Sequence, residues 1–181
     1  MTPANTTQLV LVLLAAALAF GMIGWSRHGR AVGPPLSLAA LTAAAVLAAV
    51  AEELSAGRVA STVLVALAGS LAVVGGGPVT SRIFTMVDRR DTARQTLDQA
   101  GQVLRGGAWI GALERLAVFA GLAAGFPEGV AVVLALKGVG RFPDLRSDDG
   151  RGAATERFII GTFSSVLWAA GCAGMVALVR R

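Results

Sequence analysis

Charged residues interrupt two strongly apolar runs in the second half of the sequence. Glu114 and Arg115 lie in the first run, Lys137 lies in the second, and Arg141 lies at its end. Ionisable side chains inside hydrocarbon are costly and rarely face lipid, so each of them is a candidate functional residue. Lys137 is also the only lysine among the 16 basic residues. These positions are therefore the first candidates for a buried polar site.

Helical spacing predicts which of these charges meet. Lys137 and Arg141 are four residues apart and share a helix face, whereas adjacent residues point to different sides. If the two runs are antiparallel helices, Glu114 and Lys137 lie at a similar depth, and we predict that they pair. We also predict that Arg141 or Arg115 pairs with Glu156. The predicted buried charge cluster comprises Glu114, Arg115, Lys137, Arg141, Glu156 and Arg157.

Two kinds of chemistry suit such a cluster. Basic residues near the inner membrane interface bind phosphate or lipid headgroups, and the candidate ligands are Lys137, Arg141, Arg146 and Arg157. A lysine desolvated beside a glutamate could instead exchange a proton. The sequence contains no HExxH, GxSxG or Asp-rich magnesium motif. We therefore expect no catalytic residue, no metal site and no cofactor, which disfavours an enzyme.

The composition predicts an integral membrane protein. Of the 181 residues, 55% are hydrophobic and 15% are charged, and the mean hydropathy is +0.68. A soluble domain has about 45–50% apolar and about 25% charged residues. The net charge of +5 comes mostly from arginines in short segments between apolar runs, so it indicates membrane topology rather than nucleic-acid binding.

The apolar runs predict an all-α polytopic membrane bundle in one domain, residues 1–181. We expect Pro34 and Pro35 to open the second span and Gly75–Pro78 to end the third. Glu128 is expected in the first turn of the fifth span, and residues 143–155 are expected to form a polar loop. The periodicity of residues 80–105 predicts an amphipathic helix in the membrane interface. The six predicted transmembrane helices cover about residues 8–25, 36–53, 59–77, 107–126, 128–142 and 156–178.

Arginine counts predict the orientation of the six spans. If the N-terminus is outside, eleven arginines lie in or beside the inner segments and three lie outside. Cytoplasmic segments carry the excess of basic residues. We therefore predict a multi-pass protein of the bacterial inner (plasma) membrane with both termini outside.

The second half of the chain resembles a family of uncharacterised bacterial, actinobacterial-type, integral membrane proteins. The resemblance covers about residues 106–175 and is carried by the motifs ERL, LALKGVGRFPDLR and ERFIIGT. It implies a signature made of Glu114, Arg115, Lys137, Arg141, Glu156 and the pair Gly161-Thr162. It implies no activity.

Three functions fit these features. Buried charge pairs and GxxxG spacings such as Gly107/Gly111 suit a structural or assembly subunit that packs with a partner membrane protein or with copies of itself. The alternatives are a small oligomeric transporter or channel, and a binder or enzyme that acts on anionic lipid headgroups. The expected partners are the lipid bilayer, anionic lipid, and either further copies of this chain in a homo-oligomer or a partner membrane protein, and no nucleic acid.

Overall fold

The computed structural model describes residues 2–51, 57–88, 107–146 and 151–180. Within these ranges the chain is all-helical, with six helices and no strand, as the composition predicts. The helices are α1 (Pro3–Ile23), α2 (Gly33–Val50), α3 (Arg58–Asp88), α4 (Gly107–Ala123), α5 (Glu128–Arg146) and α6 (Arg151–Val179).

Four helices are long and apolar enough to cross a membrane, fewer than the six predicted. They comprise Pro3–Ile23, Gly33–Val50, Arg58–Val87 and Thr155–Val179. Helix α4 has 17 residues, and its length of about 26 Å is below the hydrocarbon thickness of about 30 Å. Helix α5 has 19 residues but carries several charges along its length.

Helix α3 lies at the centre of the bundle. Among the described helices it contacts α1, α2, α4 and α6. The largest side chains that are fully buried include Leu14 of α1, Leu64 and Leu71 of α3, and Met175 of α6. Helix α5 is peripheral: within the described chain it packs only on α4 and α6. Large apolar side chains are exposed on several helices, as expected of a surface that faces lipid, and they include Val46, Val63, Leu116, Leu136 and Leu167.

The prediction that Gly75–Pro78 ends the third span is wrong. Helix α3 continues through this segment, with Pro78 in its interior, to Asp88. A proline inside a helix leaves the carbonyl four residues earlier without its amide donor, and here that carbonyl belongs to Val74. The indole Nε1 of Trp25 donates a hydrogen bond to the Val74 oxygen at 3.0 Å. A side chain from the end of α1 therefore replaces the missing donor.

The predicted polar loop at residues 143–155 is also largely wrong. Helix α5 continues to Arg146, and α6 begins at Arg151 rather than at residue 156. Of the predicted amphipathic helix at 80–105, residues up to Asp88 belong to α3, and residues 89–106 lie outside the described ranges.

The turn between α4 and α5 reverses the chain within four residues. Gly125 has a φ of +77°, which a residue without a side chain adopts readily. The Phe126 amide donates to the Gly121 carbonyl at 2.8 Å and the Gly125 amide donates to the Leu122 carbonyl at 3.1 Å. This is the Schellman arrangement of a helix end. Glu128 then lies in the first turn of α5, as predicted.

Candidate functional site

Glu114 and Lys137 form an ion pair between α4 and α5. The Lys137 Nζ donates a hydrogen bond to the Glu114 Oε2, so the predicted pair is present. The side chains of Lys137 and Glu114 are 22% and 16% exposed. Because α5 packs on few neighbours, this pair is a major polar link between the peripheral helix and the bundle.

Arg115 points to the other side of α4, into the bundle, and is only 7% exposed. Its Nε donates to the Val73 carbonyl at 3.1 Å, and its Nη1 donates to the Ser165 Oγ at 3.4 Å. Of the two predicted partners of Glu156, Arg115 is therefore wrong, and the side chain of Arg141 lies outside the described part of the structure. Ser165 and Glu156 are nine residues apart on α6, about 13 Å along the axis, so the guanidinium that contacts one cannot also contact the other.

Three side chains donate hydrogen bonds to carbonyl groups within a single turn of α3, those of Leu71, Val73 and Val74. Two of these donors, Trp25 and Arg115, are described above. The third is the Trp168 Nε1, which donates to the Leu71 carbonyl at 3.1 Å. These donors come from α6, α4 and the end of α1. They join three parts of the bundle to the segment of α3 that precedes Pro78.

The three glycines Gly75–Gly77 make room for these donors. An added Cβ would lie 2.7 Å from the Trp168 ring at the first glycine, 2.3 Å from Arg115 Cδ at the second and 2.8 Å from the Trp25 ring at the third. All three distances are below the closest approach that carbon atoms tolerate. The segment is therefore a packing surface within a continuous helix.

A polar cleft opens beside this surface, between α3, α4, α5 and α6, and has a volume of about 390 Å³. Its basic lining residues are Arg115, Lys137 and Arg157, and its hydroxyl groups come from threonines and serines of α3 and α6. No carboxylate residue lines this cleft within the described chain. The lining hydroxyl residues are Thr80, Ser81, Thr162 and Ser165.

Two of the hydroxyls that line the cleft have no hydrogen-bond partner among the described residues. The Thr162 Oγ1 and the Thr80 Oγ1 are buried and unpaired, and Thr162 is 8% exposed. Hydroxyls in membrane helices usually bond to the carbonyl one turn earlier, as Ser164 does with the Ile160 oxygen at 2.6 Å. A buried hydroxyl without a partner costs about 1–3 kcal/mol. The two threonine hydroxyls are therefore available to hydrogen-bond to a group that enters the cleft.

Of the other predicted site residues, one lines the cleft, one does not, and two have side chains outside the described part of the structure. Arg157 lines the cleft and is not without an interaction partner. Glu156 is exposed and does not line the cleft. Arg141 and Arg146 lie on α5, but their side chains are outside the described part of the structure. No group of three His, Cys, Asp or Glu side chains forms a metal site among the described residues.

Sequence reasoning missed much of what surrounds the cleft. The serines and threonines of α6 look like ordinary membrane-helix hydroxyls, and Trp25 looks like a residue that anchors the helix in the headgroup region. The available signal was Gly75–Gly77 within an apolar run, because three consecutive glycines allow bulky side chains to approach the backbone. Which side chains approach depends on helix packing.

Fold and site together define a class: an all-helical bundle with four helices able to cross a membrane and a basic, hydroxyl-lined cleft. Comparison of the chain with protein families, curated proteins and solved structures finds no match. The resemblance based on the ERL, LALKGVGRFPDLR and ERFIIGT motifs therefore stays a prediction.

Proposed function

We propose that this chain is an integral membrane protein that binds a phosphate group in the cleft between α3, α4, α5 and α6. Among the functions expected from the sequence, this one develops the binding of anionic lipid headgroups. The observation that carries it is Arg115, which is buried at the edge of the cleft and is held by a carbonyl and a hydroxyl rather than by a carboxylate.

Arg115 has hydrogen-bonding capacity left for a ligand. A guanidinium has five N–H donors in a fixed fork, and two of them are used by Val73 and Ser165. The adjacent Glu114 partly offsets the charge of Arg115 through space, but among the described residues no carboxylate oxygen lies within salt-bridge distance of the guanidinium. A buried charge that is only partly compensated is destabilising. A phosphate in the cleft would accept two of the remaining bonds in the bidentate geometry that arginine prefers.

Lys137 and the unpaired threonines supply the other contacts. Lys137 lines the cleft while it is paired with Glu114, so it can turn one N–H towards an anion without losing its counter-ion. The hydroxyls of Thr80 and Thr162 can donate to phosphate oxygens. The bound group would thus stabilise two orphaned hydroxyls and one incompletely compensated cation.

The position of the cleft suits the phosphate of a lipid. Its lining residues include Trp25 just beyond α1, Gly107 at the start of α4 and Arg157 in the second turn of α6. We propose that this end of the bundle faces the cytoplasm, that both termini lie outside, and that α4 and α5 also lie within the bilayer of a bacterial plasma membrane. The bias of arginines towards this end supports the orientation.

Thermal unfolding in a neutral detergent tests the proposal. Phosphatidylglycerol is expected to raise the unfolding midpoint by several degrees, and phosphatidylcholine is expected to leave it unchanged, because only a ligand that binds the folded state stabilises it. A separate titration with sodium phosphate distinguishes free phosphate from a headgroup. An equal response to both lipids would contradict the proposal.

Thr162→Val locates the effect. This variant removes an unpaired buried hydroxyl with little change in shape, so the midpoint without ligand is expected to stay the same or rise. About tenfold more phosphatidylglycerol should be needed for the same shift. Thr42→Val is the matched control, because the Thr42 hydroxyl on α2 bonds to the Leu38 carbonyl at 2.9 Å and lies outside the cleft. Identical responses of the two variants would contradict the assignment of the cleft.

A structural role in assembly is the second candidate, and the ion pair between Glu114 and Lys137 favours it. This pair fixes α5, which has few other contacts, against α4. Large apolar side chains on α5, including Val132, Leu136 and Val139, are more than half exposed. They are available to lipid, to a partner membrane protein or to a second copy of this chain.

A further inference from the structure

A second basic cleft lies directly beside the first. It has a volume of about 410 Å³ and is formed by the segment that follows α1 and by the last turns of α3. Trp25 and Ser81 line both clefts. The second cleft is therefore a neighbouring compartment, separated from the first by an indole ring and a hydroxyl-bearing residue.

Three arginines line the second cleft: Arg27, Arg30 and Arg82. None of them forms an ion pair with a described carboxylate, and no acidic residue is among the described lining. The Nε of Arg82 is buried and has no hydrogen-bond partner in the part of the chain that the structure describes. Because arginine stays protonated in proteins, this N–H needs an acceptor that the described chain does not supply.

Within the described chain, the neighbouring groups give no partner to the buried Arg82 Nε. The hydroxyl of the neighbouring Thr85 bonds to the Arg82 carbonyl at 2.7 Å, so it does not accept from the guanidinium. An anion with several acceptor oxygens would satisfy the Arg82 Nε and contact Arg27 and Arg30. Phosphate accepts two bonds from the planar fork of one arginine and has further oxygens for the other two arginines.

We propose that the second cleft binds a phosphate group, and that both clefts together bind one lipid that carries two phosphodiester groups. The part of the proposal that concerns the first phosphate rests on the proposed function of the first cleft. Trp25 lies between the two phosphate positions, where it contacts the part of the headgroup that joins them. Basic pockets at the cytoplasmic side of helix bundles are suited to such headgroups.

Native mass spectrometry of the full chain tests this by counting retained lipids. The probes are diphosphatidylglycerol, with two phosphates, phosphatidylglycerol, with one, and phosphatidylcholine as the zwitterionic control. The wild type is expected to retain one diphosphatidylglycerol or two phosphatidylglycerol molecules. Arg82→Gln should retain one phosphatidylglycerol and bind diphosphatidylglycerol about tenfold more weakly. Arg27→Gln, at an exposed position, provides a second variant if Arg82→Gln does not fold, and Arg58→Gln at the other end of α3 is the matched control.

The variants separate the two clefts. Thr162→Val is expected to remove the phosphatidylglycerol of the first cleft only, and to weaken diphosphatidylglycerol as Arg82→Gln does. If Arg82→Gln and Arg27→Gln both retain two phosphatidylglycerol molecules and undiminished diphosphatidylglycerol, the second site is overturned. In a second outcome, the two arginine variants lose lipid and Thr162→Val loses none. That result would show that the second cleft binds phosphate. It would overturn the proposed function of the first cleft and the proposal that one lipid occupies both clefts.

Discussion

At the scale of single residues, adjacent Glu114 and Arg115 take different environments. Glu114 faces α5 and pairs with Lys137, whereas Arg115 enters the bundle and donates to Val73 and Ser165. The pair could be predicted, because two antiparallel helices joined by a short turn bring residues at equal depth together. The partners of Arg115 could not, because they depend on how α4 is rotated against α3 and α6.

The first prediction concerns the ion pair. Lys137→Met leaves the Glu114 carboxylate partly buried without a counter-ion, and we expect a loss of about 2–3 kcal/mol in the free energy of unfolding. Glu114→Gln removes that charge, so the double variant should recover about 1–2 kcal/mol of the loss. Equilibrium unfolding of the four proteins in mixed micelles measures the coupling. Purely additive effects would show that the two side chains do not interact.

The second prediction concerns the packing of Arg115 on the second glycine of Gly75–Gly77. Gly76→Ala places a methyl group 2.3 Å from the Arg115 Cδ, and overpacking of this kind costs about 1–3 kcal/mol. Gly174→Ala on α6 is the control, because an added Cβ there meets nothing within 4 Å. It should be neutral or stabilise the helix by up to about 1 kcal/mol. Equal unfolding midpoints for the two variants would refute the close approach.

At the scale of elements, α3 shows where sequence reasoning fails for a physical reason. Glycine and proline predict a helix end because each weakens the local helix. In α3, glycine and proline weaken the helix locally, but the side chains that hydrogen-bond to it come from distant parts of the sequence. Trp25, Arg115 and Trp168 are 49, 42 and 97 residues away in sequence from the carbonyls that accept their hydrogen bonds. No local pattern encodes those contacts. The boundaries of α1 and α2 depend on local prolines and are closer to the prediction.

The third prediction tests the replacement of the proline's missing donor. Trp25→Phe removes the hydrogen bond to the Val74 carbonyl, and we expect it to cost about 1 kcal/mol of unfolding free energy. In a Pro78→Ala background the restored amide can bond to the same carbonyl, so the cost of Trp25→Phe should fall to less than half. Thermal unfolding of the two single variants and the double variant measures this. An undiminished cost would mean that the indole acts through packing alone.

At the scale of the whole molecule, composition predicts the all-helical class, and the four long apolar helices agree with it. Helix α4 is too short and α5 is too highly charged to count as a membrane-spanning helix. These two helices nevertheless form the ion pair between Glu114 and Lys137 and line part of the cleft. The prediction of six spans came from apolar runs alone. Arg180, at the other end of the bundle, donates to the Ala123 carbonyl at 2.7 Å, so not every arginine serves the proposed cytoplasmic end.

The fourth prediction concerns orientation in the membrane. Cysteines introduced at His28 and Arg58 should react with a membrane-impermeant reagent from opposite sides, position 28 from the cytoplasm and position 58 from outside. The native Cys172 is fully buried in α6 and should stay unmodified, which makes the wild type the control. Labelling of position 28 from outside would reverse the proposed orientation.

Photo-crosslinking with a phosphatidylglycerol that carries a diazirine next to its headgroup tests the central claim most directly. Mapped by mass spectrometry in reconstituted membranes, the adducts should concentrate on the residues around the cleft, Gly77–Ser81 and Phe158–Thr162. Thr162→Val should lower their yield about tenfold and leave other adducts unchanged. Adducts spread evenly over the exposed apolar surface, with the same yield in the variant, would contradict a phosphate site in the cleft.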